Sequence, residues 1–193
     1  QISSGYFPLK SGQTERIAMA IMMGNDQQDA IRNKNIAQLT YENDYQFAKA
    51  PNPPKVTAVA GDGKVTLYWD RSAEDTKDKY MGNITDGADL YDFEGYKIYR
   101  ATDFEFNDAY NITDGDGNPT FLEPYVQNGV RAQWDLIDGK SGWHPVDLNG
   151  IKFYLGDETG LVHSYVDNNV VNGQRYYYAV VSYDYGGDLT NNI

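Results

Sequence analysis

Between Asp114 and Asn118 the chain reads Asp-Gly-Asp-Gly-Asn, which sets side-chain oxygens at the first, third and fifth positions of a short loop. That alternation lets one hard cation collect several carboxylate and amide oxygens, and calcium is the metal it suits. Asp114, Asp116 and Asn118 are therefore the candidate calcium ligands, and calcium is the one cofactor to be expected. The loop is not an EF-hand: its sixth position is Pro119 where that motif needs Gly, and its twelfth is Tyr125 where it needs Glu. The competing reading is an Asp-Gly turn in a long hairpin. A second acidic group, Asp86, Asp89, Asp92 and Glu94, would repel itself unless a cation or an arginine intervenes, or unless its members are solvated and apart.

Catalytic chemistry finds little to stand on. The only histidines are His144, in a Gly-Trp-His-Pro loop, and His163, in a predicted strand. Neither a Gly-x-Ser-x-Gly elbow nor a His-Glu-x-x-His pair occurs. With no cysteine in the chain, disulfides, zinc–thiolate sites and thiol nucleophiles are all excluded. The expectation is a noncatalytic protein. Aromatic side chains offer the other candidate site. Trp134, Trp143 and Tyr125, with Phe121 and Tyr154 nearby, lie in one long polar stretch, where they could stack on a sugar ring or anchor a protein partner. The alternative is a satellite core that holds the stretch in position. Asn83-Ile84-Thr85 and Asn111-Ile112-Thr113 are formal glycosylation sequons.

The elements that must carry these groups are β. The 193 residues hold 16 Lys+Arg against 28 Asp+Glu, a net charge of −12, which repels phosphate backbones and disfavours nucleic acid as a partner. No run approaches the roughly 18 apolar residues of a membrane helix, so no membrane insertion is expected. Of the acids, Asp far outnumbers Glu, and the chain carries 17 Tyr and 19 Gly. Asp and Gly suit turns and Tyr suits half-buried strands. The composition predicts an all-β fold with long polar loops.

Along the chain, residues 6–9 and 14–23 read as two strands about a Lys-Ser-Gly-Gln turn. Ile17, Met19, Ile21 and Met23 alternate on one face, and Ala18, Ala20 and Met22 make the other face apolar too. Residues 1–24 are thus expected to be the terminal hairpin of a preceding β domain, which would make the chain part of something larger. Asn25-Asp26 offers an N-cap, and residues 27–47, free of Gly and Pro, predict a linker helix within residues 25–50. The prolines at 51, 53 and 54 then force extended chain. Beyond them, residues 55–60 and 64–70 alternate about Gly61-Asp62-Gly63, a hairpin signal. Residues 93–101, 160–166 and 175–183 supply three more predicted strands, with Leu67, Trp69, Tyr96 and Ile98 directed inward.

These segments resemble a fibronectin type III domain. Pro-Pro-Lys-Val-Thr-Ala-Val from Pro53 matches strand A, and Lys-Val-Thr-Leu-Tyr-Trp-Asp from Lys64 matches strand B. Glu-Gly-Tyr-Lys-Ile-Tyr-Arg from Glu94 matches strand C, and Asn-Gly-Gln-Arg-Tyr-Tyr-Tyr-Ala-Val from Asn172 matches the E–F corner and strand F. The resemblance implies a β-sandwich over residues 51–193, with Tyr176 as its corner tyrosine. It departs from the family in carrying insertions at about residues 71–92 and 102–159, and in lacking a legible final G strand. The insertion at 102–159 is too long to be structureless and is expected to pack and to add strands.

A wider resemblance is to modules of large secreted proteins of Gram-negative bacteria that use a type IX sorting tail. It rests on Ser-Gly-Tyr-Phe-Pro-Leu from Ser4, the helix at 35–41 with the proline linker, Asp-Phe-Glu-Gly-Tyr from Asp92 and Gly-Leu-Val-His-Ser-Tyr from Gly160. It implies an extracellular or cell-surface location. The function expected is a structural or adhesive module that assembles with neighbouring domains or identical subunits, such as a fibre or layer subunit. The alternative is an accessory module of a secreted hydrolase that binds a surface glycan or protein.

Overall fold

The computed structural model describes residues 6, 8–42, 49–84, 87, 90–113, 119–148 and 151–186. The chain divides into two compact units, Gln1–Tyr45 with Ile193 and Gln46–Asn192.

In the first unit the helix α1 spans Gln27–Glu42. Asp26 starts it, its Oδ1 accepting a hydrogen bond from the Asp29 amide at 2.8 Å, the N-cap geometry that satisfies an orphan amide of the first turn. The expected helix ran to residue 47; residues 43–48 lie outside the described ones. The hairpin expected before it does not form among the described residues. Residues 14–23 carry no strand, and the side chains of Ile17, Met19, Ile21 and Met23 are exposed. A run with two apolar faces states that it needs partners, and extended backbone becomes a strand only where another strand meets it.

The second unit is mostly β. Its strands are β1 (Val56–Gly61), β2 (Lys64–Trp69), β3 (Phe93–Ala101), β4 (Tyr110–Thr113), β5 (Pro119–Leu122), β6 (Val126–Gln127), β7 (Val130–Arg131), β8 (Gln133–Asp135), β9 (Gly142–Leu148), β10 (Ile151–Gly156), β11 (Ser164–Asp167) and β12 (Tyr177–Asp184), with a short helix α2 (Lys79–Ile84) between β2 and β3. There are two three-stranded antiparallel sheets, ordered β1-β2-β11 and β8-β3-β12, and three separate two-stranded hairpins, β4–β5, β6–β7 and β9–β10. Among the described residues no sheet closes into a barrel, and no helix is long and apolar enough to cross a membrane.

Strand alternation builds the core. Leu67 and Trp69 from β2, Phe93, Tyr96 and Ile98 from β3, and Val180 from β12 are buried together, so the two main sheets share one apolar cluster. Trp69 and Tyr96 meet edge to face at 5.8 Å. The inward assignment of Leu67, Trp69, Tyr96 and Ile98 holds. The last two expected strands are shifted: β11 starts at Ser164 rather than at 160, and β12 at Tyr177 rather than at 175.

The chain between β3 and β11 does pack and does add strands, β4 to β10. Its strand β8 pairs with β3 through Gly95↔Asp135, Tyr96↔Trp134 and Lys97↔Gln133. Its hairpin β9–β10 lies over the face of the β8-β3-β12 sheet that points away from the core, where Leu155 is buried and its carbonyl accepts from Gln133 Nε2 at 2.8 Å. Both faces of β3 are therefore covered. The residues from Phe93 to Ile98 are buried without a break, a pattern of a two-sided strand rather than a surface one.

Candidate functional site

A cavity of about 370 Å³ opens between the outer face of the β8-β3-β12 sheet and the hairpins that cover it. One wall comes from the sheet: Lys97 and Tyr99 of β3, Gln133 of β8 and Val181 of β12. The other wall is largely aromatic, with Tyr110 and Phe121 from β4 and β5, Trp143 from β9, and Phe153 and Tyr154 from β10. The aromatic rings brace one another in edge-to-face pairs, Phe121 with Phe153 at 5.5 Å and Trp143 with Tyr154 at 5.0 Å.

Lys97 is the unusual member of the set. Only 5% of it is exposed, since the hairpin β9–β10 closes over an outward strand position that would otherwise face water. Its Nζ donates to the Tyr154 carbonyl at 2.9 Å and sits 4.1 Å from the ring centre of Tyr183 and 5.0 Å from that of Phe153. Among the described residues no carboxylate forms a salt bridge with it. Burial, helped by the charge of Arg131, brings its ammonium down to a pKa of about 8. Gln133, also buried, donates from Nε2 to the same Tyr154 carbonyl at 3.1 Å, so the amide and the ammonium converge on one acceptor. The Gln133 Oε1 is buried with no hydrogen-bond partner among the described residues. Arg131 stands toward the opening, 3.6 Å from the carboxylate of Glu123.

The residues singled out in the sequence separate. Trp143 lines the cavity and is 59% exposed. Trp134 packs instead against the core, 6.0 Å from Trp69 and 5.4 Å from Tyr165. Tyr125 lies against Tyr165 as well, under the Arg100 guanidinium at 3.9 Å, and its hydroxyl donates to Asp167 Oδ1 at 3.2 Å. Trp134 and Tyr125 thus meet through one tyrosine, while Trp143 belongs to a different surface, so the three do not make one platform. Asp114, Asp116 and Asn118 lie outside the described residues, as do Asp86 and Asp89. Among the described residues no group of three or more His, Asp or Glu side chains is arranged to hold a metal ion.

The histidines have ordinary neighbours. His163 Nε2 is 2.5 Å from Glu74 Oε1, which also accepts from the Tyr96 hydroxyl at 3.2 Å. His144 lies beside Tyr185, ring centres 5.5 Å apart and tilted by 53°. The residues that sequence reasoning passed over are Lys97, Gln133, Arg131 and Phe153. A lysine at an outward strand position normally reads as solvated. Only the length of the following insertion hinted that this face would be covered.

No protein-family model, curated protein or solved structure matches the chain.

Proposed function

We propose that the chain is a noncatalytic structural or adhesive module of fibronectin type III kind, belonging to an extracellular or cell-surface protein and assembling with further copies of itself. The strand orders β1-β2-β11 and β8-β3-β12 support the fold reading, because the segments that resemble strands A and B share one sheet and those that resemble C and F pair in another. Support also comes from Tyr176, whose hydroxyl accepts a hydrogen bond from the upstream Val171 amide at 3.1 Å, as the corner tyrosine of a sandwich does.

The observation that carries the assembly reading is the edge of β12. Among the described residues this strand pairs with β3 on one side and with no strand on the other. An open edge is a template for an added strand. The chain also offers a suitable addition. Residues 14–23 have no strand partner among the described residues, and Ile17, Met19, Ile21 and Met23 alternate with 71 to 84% exposure. A segment with period-two apolar residues laid along β12 of a second copy would satisfy both needs at once.

The test is the oligomeric state over a range of concentrations, read together with amide exchange along β12. Assembly predicts a concentration-dependent oligomer in which the outward amides of residues 177–184 become protected, and Ile17→Asp with Ile21→Asp abolishes both effects. A monomer at every concentration, with the β12 amides already protected, overturns the reading.

A further inference from the structure

We propose that the cavity over the outer face of the β8-β3-β12 sheet is a binding site for a small monocarboxylate with an aromatic or branched apolar body. The inference is independent of the assembly reading, since it concerns the covered face of that sheet and not its edge.

Charge is the first argument. The chain as a whole has 28 acidic against 16 basic side chains, yet the charged residues lining the cavity are Lys97, Arg131 and Lys152 against Glu123 alone. Lys97 is held among aromatic faces with one carbonyl to bond and no salt-bridge partner among the described residues. A buried cation of that kind is costly, and an anion arriving beside it recovers charge-assisted hydrogen bonding. Arg131, engaged only loosely by Glu123, adds a second attraction at the opening.

Shape and surface set the rest of the ligand. The volume of about 370 Å³ falls near the lower end of ordinary small-molecule pockets, roughly 300–1,000 Å³. The walls around Lys97 are rings, so the body of the ligand must be apolar. Sugars fit poorly: they stack on flat aromatic platforms, whereas Trp143–Tyr154 and Phe121–Phe153 meet at 66° and 75°, so neither pair makes a shared flat face. Gln133 shares the Tyr154 carbonyl with Lys97, so the ammonium is held in place at the cavity wall.

The experiment is an NMR titration of the full chain with 3-phenylpropionate, 3-phenylpropionamide and N-acetylglucosamine. The carboxylate should bind about 10- to 100-fold more tightly than the amide, with shifts at Lys97, Trp143 and Phe153. Lys97→Met should erase the difference between acid and amide while leaving the apolar contact. Arg131→Gln, at the more exposed edge of the site, should weaken the acid alone and serves if Lys97→Met does not fold. Equal binding of acid and amide, binding of the sugar in preference to both, or no binding of the acid at millimolar concentration each overturns the proposal.

Discussion

Arg100 Nη1 stands 2.9 Å from Oδ2 of Asp167, which is fully buried, and the pair ties β3 of one main sheet to β11 of the other. The carboxylate is otherwise saturated: the hydroxyls of Tyr178 and Tyr125 donate to it at 2.8 and 3.2 Å, and the Asn169 amide donates at 2.9 Å. Removing one member strands the other, so Asp167→Ala is expected to cost about 3 kcal/mol, with Asp167→Asn milder. The double replacement Arg100→Met with Asp167→Leu should be less harmful than Asp167→Ala alone, because no buried charge is left unpaired. Urea unfolding of the set with unchanged slopes checks this.

Lys97 makes the opposite case, a charge the fold tolerates at a cost. With its ammonium lowered to a pKa of about 8 by burial and by Arg131, the folded protein binds this proton less tightly than the unfolded chain does. The penalty is full below about pH 8 and fades as pH rises toward the ordinary lysine value of 10.5. Lys97→Met should therefore stabilise the protein at pH 7, by of order 1–3 kcal/mol, and by less at pH 10. The other charged or titratable groups about the site are Glu123, Lys152, Tyr99, Tyr110, Tyr154 and Tyr183. Thermal midpoints of both proteins from pH 6 to 10 give the answer; a constant difference would refute it.

Glu94 predicts a slope at lower pH. It is completely buried, and neither carboxylate oxygen has a hydrogen-bond partner among the described residues. Burial, reinforced by Asp138, Asp135 and Glu158 and opposed by Lys140, raises its pKa to about 7. Between the ordinary glutamate value of 4.5 and about 7 the folded state holds a proton that the unfolded state has lost, so stability falls as pH rises through this window. Glu94→Gln should flatten that fall and leave the protein more stable at pH 8 than the parent. Unfolding free energies at pH 4, 6 and 8 decide the matter.

Gly156 has a backbone constraint of its own. Its φ of +145° suits glycine, and an added Cβ would fall 2.3 Å from the carboxyl carbon of Asp135. Asp135 cannot retreat without releasing the amides of Glu158 and Thr159, which donate to it at 2.6 and 2.9 Å. Gly156→Ala is expected to lose at least about 2 kcal/mol, or to prevent accumulation of folded protein. Recovery of wild-type stability in that variant would show the turn to be softer than its contacts imply.

What the sequence revealed followed from local physics. The strand at Phe93–Ala101 was legible to its last residue because Tyr96 and Ile98 alternate within a run rich in strand formers. The turn at Gly61-Asp62-Gly63 and the cap at Asp26 were legible because each is a short-range contact. Residues 14–23 carry no strand among the described residues, because alternation tells which faces are apolar but not whether a partner strand exists. Trp143 could be picked out as an unusual loop aromatic. Lys97 could not, because its burial is decided by Phe153 and Tyr154, more than fifty positions away in the chain. Long-range coverage of that kind leaves no periodic mark.

The cavity has a floor and a roof of different origin. Most of the floor belongs to β3 and β12, whose other side holds the core, and the insertion adds only its strand β8 there. The roof comes from hairpins within one insertion. Exchanging Phe121, Trp143 or Phe153 would reshape the chamber without touching Trp69, Tyr96 or Ile98. The apolar core can thus stay constant while the shape of the chamber changes, so variation in those hairpins alters the cavity at little cost to the fold.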